Sequence, residues 1–127
     1  MTQNCIAIVD DEAQVRSALG RLLRLADFEV LSFESGQTFI DSLTQRVPEC
    51  VLLDVHMPGL SGLQVRALLR VSHPLLPIVF ITASDDAELT QRASDAGASA
   101  LLRKPFTNRA LLEAVRSALQ SHPGAAM

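Results

Sequence analysis

The sequence predicts a doubly wound α/β domain, a single five-stranded parallel sheet covered by five helices. Three observations predict it. Short, wholly apolar runs recur at Cys5–Val9, Cys50–Leu53 and Ile78–Ile81, and a strand that reads as a continuous apolar run is buried on both faces, as in a parallel sheet. Between these runs lie stretches with apolar residues at i, i+3 and i+4, the pattern of helices that cover a sheet. The connections are short, and 127 residues suit strict alternation of five β/α units in one domain.

The first run, Cys5–Val9, is closed by Asp10 and Asp11. Val15, Ala18, Leu19, Leu22, Leu23 and Ala26 then mark one face of a helix. Residues 28–33 read as the second strand, and Ser35 is placed to cap a helix carrying Phe39, Ile40 and Leu43. The third strand, Cys50–Leu53, ends at Asp54. Pro58, Gly59, Ser61 and Gly62 mark a loop, and residues 63–71 form the third helix, stopped by Pro74 and Pro77. Ile78–Ile81 is closed by Thr82. The fourth helix runs to Ala96, started by Ser84 or by Asp85 with Glu88 at capping-box spacing, and Gly97 is its natural terminating residue. Residues 99–102 form a short fifth strand, followed by Arg103, Lys104 and Pro105. A last helix begins at Thr107 or Asn108, with Leu111, Leu112, Val115 and Leu119 facing inward. Residues 1–120 form the domain, and 121–127 read as a tail or linker stub.

The fourth helix offers mainly Ala87, Leu89, Ala93 and Ala96 as apolar anchors. Such small anchors bury less area than those of the first or last helix, so this helix is expected to be the movable element.

Composition excludes several classes. A 48% hydrophobic content supports a packed core and excludes disorder. Lys+Arg 11 against Asp+Glu 14 gives a net charge of −3, a poor balance for direct nucleic-acid or anionic-membrane contact. Tyr and Trp are absent, so base-stacking platforms lack their material. No apolar run approaches the roughly 20 residues of a membrane span, and no secretory leader pattern opens the chain, so the cytoplasm is the expected location. Cys5 and Cys50 both lie in apolar runs and read as buried, reduced thiols.

The polar residues that end the strands carry the chemistry. Ligands of an open α/β sheet bind beyond the carboxyl ends of its strands. Here those ends bear Asp10 and Asp11, Asp54, Thr82, and Arg103 with Lys104. Taken singly, Asp10 or Asp11 reads equally well as a helix cap, Thr82 as a plain strand end and Lys104 as a surface lysine. Together they describe a site. Carboxylates about 5 Å apart repel by about 3 kcal/mol per pair at an effective dielectric of 20. A hard divalent cation with oxygen ligands, Mg2+ or Mn2+, resolves that repulsion. A metal, a lysine and a hydroxyl without a glycine-rich phosphate loop suit a phosphoryl group carried on a carboxylate. The Walker A and G-x-G-x-x-G patterns are absent, so nucleotide binding has no support.

Val9-Asp10-Asp11-Glu12, the run from Leu52 through Asp54, His56, Pro58 and Ser61 to Gly62, Ile81-Thr82-Ala83, and Ala96-Gly97-Ala98 leading to Lys104-Pro105-Phe106 resemble the bacterial two-component response regulator receiver domain, over residues 4–120. The stretch Ser32-Phe33-Glu34-Ser35 to Phe39, with Lys104-Pro105-Phe106, is similar to the FixJ-type subgroup, whose receivers usually precede a helix-turn-helix domain. The resemblance implies a flavodoxin-like strand order 2-1-3-4-5. It implies that Asp54 accepts a phosphoryl group from a sensor histidine kinase. Asp10, Asp11, Asp54 and the backbone carbonyl of His56 then hold Mg2+, Thr82 and Lys104 meet the phosphoryl oxygens, and the Lys104–Pro105 bond is cis. Gly62 and Pro58 shape the loop after Asp54. His56 and Ser84 stand where the family tunes acyl-phosphate hydrolysis.

The implied function is a phosphorylation-activated switch. The chain is then not a conventional enzyme: it catalyses its own Mg2+-dependent phosphorylation and slow dephosphorylation. Phosphorylation changes the face formed by helix 4, strand 5 and helix 5, and so controls homodimerisation or a transcriptional output domain. One position departs from the family pattern. Leu101 stands where many members carry an aromatic switch residue, so transmission is expected to rest on Thr82, the loop after it and the fourth helix. Two other readings compete. A phosphatase of the haloacid dehalogenase kind needs a second Asp two residues after the nucleophile, where this chain has His56. An unphosphorylated pseudo-receiver acting as an interaction module fits Leu101 but not the acidic trio.

Overall fold

The computed structural model describes residues 3–83, 87–95 and 97–120. The proposed caps Ser84 and Asp85, the side chain of Leu89, Ala96 and the tail 121–127 lie outside the described residues. Five strands alternate with five helices: β1 (Cys5–Val9), α1 (Ala13–Leu25), β2 (Glu29–Phe33), α2 (Gly36–Ser42), β3 (Cys50–Asp54), α3 (Gly62–Ser72), β4 (Ile78–Thr82), α4 (Ala87–Asp95), β5 (Ala100–Arg103) and α5 (Asn108–Gln120). All neighbouring strands are parallel and the order is β2-β1-β3-β4-β5, as expected.

Every residue of β1, β3 and β4 is buried, whereas the edge strands β2 and β5 are half-buried except for the exposed Ser32 and Arg103. The pleat divides each apolar run between two cores. Ala7, Val9, Val51, Leu53, Ile78 and Phe80 pack with Phe39 of α2, Val65 and Leu69 of α3 and Ala93 of α4. Ile6, Ile8, Leu52, Val79 and Ile81 pack with Leu19 and Leu23 of α1 and Leu111, Val115 and Ala118 of α5. Both cysteines are buried free thiols. Burial pushes the Cys50 thiol up to about 12. Among the described residues, no helix is long and apolar enough to cross a membrane.

Boundaries moved where turn chemistry or pairing prevailed over hydrophobic pattern. Asp27 takes a left-handed φ of 70°, so β2 starts at Glu29 and not at Phe28. β5 is displaced by one residue from the expected 99–102, because Arg103 pairs with Thr82 at the end of β4. The inward stripe of α5 is Leu111, Val115 and Ala118, while Leu112 and Leu119 are half-buried at its flanks. Ser61, read as a loop residue, is the N-cap of α3. Its hydroxyl accepts from the Gln64 N–H at 3.2 Å, and Gln64 Oε1 accepts from the Ser61 N–H at 2.9 Å. The expected cap at Ser35 is present, accepting from the Thr38 N–H at 3.1 Å. Gly97 has the positive φ of 81° expected of a helix-terminating glycine.

Candidate functional site at the carboxyl edge of the sheet

The chain winds to β2 on one side of β1 and to β3 on the other, so the direction of winding changes between β1 and β3. Asp10 follows β1 directly, and Asp54 is the last residue of β3. Asp10 is held on several sides. Its N–H donates to the Phe33 carbonyl at 3.1 Å, and its own carbonyl accepts from Arg16 Nη1 at 2.7 Å. Its Oδ1 accepts from the Glu12 N–H at 2.8 Å, taking up a free amide near the start of α1, which lacks a side-chain cap. Asp54 is only 5% exposed, and its Oδ1 accepts from the His56 N–H at 3.2 Å. Asp11 is exposed. Each of Asp10, Asp11 and Asp54 offers a carboxylate oxygen, and these oxygens all lie within 4.8 Å of one another.

Two further strand ends complete the edge. Thr82 is buried at the end of β4. Its carbonyl accepts from the backbone N–H of Lys104 at 2.8 Å. Lys104 Nζ lies 3.5 Å from Asp10 Oδ2 and 3.7 Å from Glu12 Oε1, and its side chain is 22% exposed. The Lys104–Pro105 bond is cis.

The loop after Asp54 is fitted against the strand. The Gly62 N–H donates to the Val55 carbonyl at 2.9 Å. A Cβ at Gly62 would collide with the Asp54 carbonyl oxygen and sit 2.9 Å from Val55 Cα. Glycine is therefore required by close approach of α3 to the end of β3.

The electrostatics are unbalanced. Among the described residues, Asp10, Asp11, Glu12 and Asp54 face a single ammonium, that of Lys104. Asp54 is pushed up to about 6, chiefly by burial and next by the charge of Asp10, with Asp11 adding to the rise. The His56 N–H and the Lys104 charge act in the opposite direction. Oxygen donors converging with excess negative charge fit a hard divalent cation such as Mg2+.

Asp10, Asp11, Asp54, Thr82 and Lys104 thus share one edge. His56 is exposed and meets Asp54 through its backbone N–H. Leu101 is half-buried on β5, registered beside Phe80 and packed against the core under α2, α3 and α4. Ser84 lies outside the described residues. Sequence reasoning missed two contributors. Glu12 stands in the quoted acidic run and pairs with Lys104. Arg16 lies one helical turn further and clamps the Asp10 carbonyl, with no local signal to mark it.

The family model of the response regulator receiver domain matches residues 6–116. The chain belongs to this family. Relatives of this receiver include the transcriptional regulatory protein TdiR of Thauera aromatica, 41% identical over 114 residues, which cover 90% of this chain and 50% of that protein. The transcriptional regulatory protein FixJ of Bradyrhizobium diazoefficiens is 35% identical over 125 residues, covering 98% of this chain and 61% of FixJ. Among solved structures, response regulator StyR superposes with a TM-score of 0.85 at 41% identity, over 98% of this chain and 63% of that one. FixJ-N superposes with a TM-score of 0.87 at 28% identity, over 95% and 97%. The receiver spans about half the length of the first curated relatives it matches.

Proposed function

We propose that the chain is a phosphorylation-activated switch with Asp54 as its phosphoacceptor. The observation that carries the reading is the convergence of three carboxylates within 4.8 Å of one another, with the Lys104 ammonium 3.5 Å from Asp10. Asp10, Asp11, Asp54 and the carbonyl of His56 would hold Mg2+, which when bound neutralises charge on the carboxylates and on incoming phosphoryl oxygens. An Asp54 carboxylate oxygen attacks the phosphorus of a sensor kinase phosphohistidine. The O–P bond forms as the P–N bond breaks, and the imidazole leaves with the electron pair and takes up a proton. Lys104 and the Thr82 hydroxyl are the chain's own donors to the phosphoryl oxygens, a reading supported by the hydrogen bond from the Lys104 N–H to the Thr82 carbonyl that keeps the two residues adjacent. His56 and Ser84 tune hydrolysis of the acyl phosphate. The signal passes from Thr82 through the loop after it and α4, with Leu101 repacking in the switch position, to the face formed by α4, β5 and α5. There it controls homodimerisation or a transcriptional output, and the names of the relatives, transcriptional regulatory proteins, support the second of these. The setting is cytoplasmic, and contact with DNA is left to another domain.

The test is incubation with a small phosphodonor and Mg2+ followed by intact-mass measurement. One added phosphoryl group in the native chain, absent from Asp54→Asn, is expected. An unchanged mass with every donor would remove the reading. Leu101 in the switch position favours the pseudo-receiver as second reading, and that reading predicts a melting temperature indifferent to Mg2+.

A further inference from the structure

A second charged feature lies away from the acidic edge. Arg66 and Arg70 of α3 and Arg92 and Asp95 of α4 line a cleft of about 300 Å3, with Leu63 and Ala67 completing its wall. Arg66 and Arg70 stand four residues apart on one helix face, where like charges repel. The α3 sequence contains no acidic residue to offset them. Arg66 lines the cleft although only 9% of it is exposed. Its guanidinium lies against the turn that follows α4, since a Cβ at Gly97 would sit 3.3 Å from Arg66 Nη2. Burial and then the charge of Arg70 hold the Arg66 guanidinium below its ordinary value. Asp95, the acid lining the cleft among the described residues, accepts from Gln91 Nε2 at 2.9 Å. Among the described residues, Arg70 and Arg92 form no ion pair.

Among the described residues that line the cleft, Arg70 and Arg92 outnumber the Asp95 carboxylate and Arg66 adds a third guanidinium, an excess of positive charge in a chain whose net charge is −3. A dianion with several acceptor oxygens is the complement of that excess, and the planar guanidinium fork matches phosphate geometry. The volume falls at the small end of ligand pockets. A recessed Arg66 is reached by a group that enters the cleft, not by a flat protein surface. We propose that the α3–α4 cleft binds a phosphate-bearing small molecule, with its phosphoryl dianion held among Arg66, Arg70 and Arg92.

The test is an NMR titration of the Mg2+-free chain with inorganic pyrophosphate and, separately, glycerol 3-phosphate, at ionic strength fixed with sodium chloride. Saturable amide shifts in residues 66–70 and 87–95 are expected. Arg92→Gln, an exposed position, should weaken binding at least about tenfold, as loss of a charge-assisted hydrogen bond implies. The further change Arg70→Gln should weaken it more, and Lys104→Gln should leave it unchanged. Which probe binds more tightly distinguishes a free inorganic anion from a phosphorylated metabolite. Equal affinity in Arg92→Gln would overturn the proposal, as would shifts confined to the Asp10, Asp54 and Lys104 edge or no saturation at all. A glutamate-rich peptide shifting the same residues while both phosphate probes fail would overturn it in favour of an acidic protein partner. Phosphodonor labelling of Asp54 reads the acidic edge independently, so failure of one site is distinguishable from failure of the other.

Discussion

The backbone N–H of Lys104 donates to the carbonyl of Thr82 across 2.8 Å, joining the ends of β4 and β5. One hydrogen bond sets the ammonium-bearing and hydroxyl-bearing residues on adjacent strand ends. From the end of β5 the lysine side chain reaches past the ends of β4 and β3 to Asp10 beyond β1.

That reach depresses the proton affinity of Asp54. Lys104→Gln should raise the Asp54 titration midpoint above its value of about 6, because a lowering charge is removed while burial and Asp10 remain. Carbon-13 NMR of the Asp54 carboxyl in the metal-free chain checks this. A midpoint unmoved or lowered would contradict it.

The same raised value makes stability depend on pH. Folding holds the Asp54 proton more tightly than the unfolded chain, whose carboxyl titrates near the ordinary 3.8. Stability is therefore lost as pH rises from about 4 through about 6, and the loss is complete above that. Asp54→Asn removes the charge and its cost, worth at most about 3 kcal/mol for a shift of about two units. The variant should melt higher than the native chain at pH 7.5 without metal, and equally near pH 3.5. Millimolar Mg2+ should narrow the gap by stabilising the native chain. Calorimetry at the two pH values measures it.

Gly62→Ala should disturb the site from behind. The added methyl meets the Asp54 carbonyl and Val55 Cα, both backbone atoms that cannot swing aside. A cost of about 1–3 kcal/mol is expected for such overpacking. Urea unfolding reads the stability, and phosphodonor labelling should slow at the same time. A variant with native stability and labelling rate would show that the loop yields freely.

α4 should be the most loosely held of the helices. Its buried apolar anchor among the described side chains is Ala93, whereas α1 buries Leu19 and Leu23. At about 25 cal/mol per Å2 the difference is a few kcal/mol. Amides of α4 should therefore exchange on the order of a hundredfold faster than those of α1 by native-state hydrogen exchange. Equal protection would remove α4 as the movable element.

Much of the fold was legible because its signals are local. The runs Cys5–Val9, Cys50–Leu53 and Ile78–Ile81 are apolar because both faces of a central parallel strand are buried, and each occupies its expected strand. The edge strands were placed less well. Phe28 and Ser99 lie just outside strands whose limits are set by the Asp27 turn and by the pairing of Arg103 with Thr82. Ser61 was hidden among loop-forming residues, although Gln64 three positions on completes its capping box.

By itself the sequence determined which polar groups end the central strands, since an acid or hydroxyl that closes a short, wholly apolar run marks where a strand buried on both faces leaves the apolar core. The tertiary structure alone decided which of those tips meet. Lys104 and Asp10 are 94 residues apart, and no periodicity encodes their 3.5 Å separation. Glu12 beside Lys104, Arg16 on the Asp10 carbonyl and the three arginines between α3 and α4 are likewise products of packing. Local pattern specifies each element's buried face, but electrostatic contacts across elements exist only once the sheet has set their order and register.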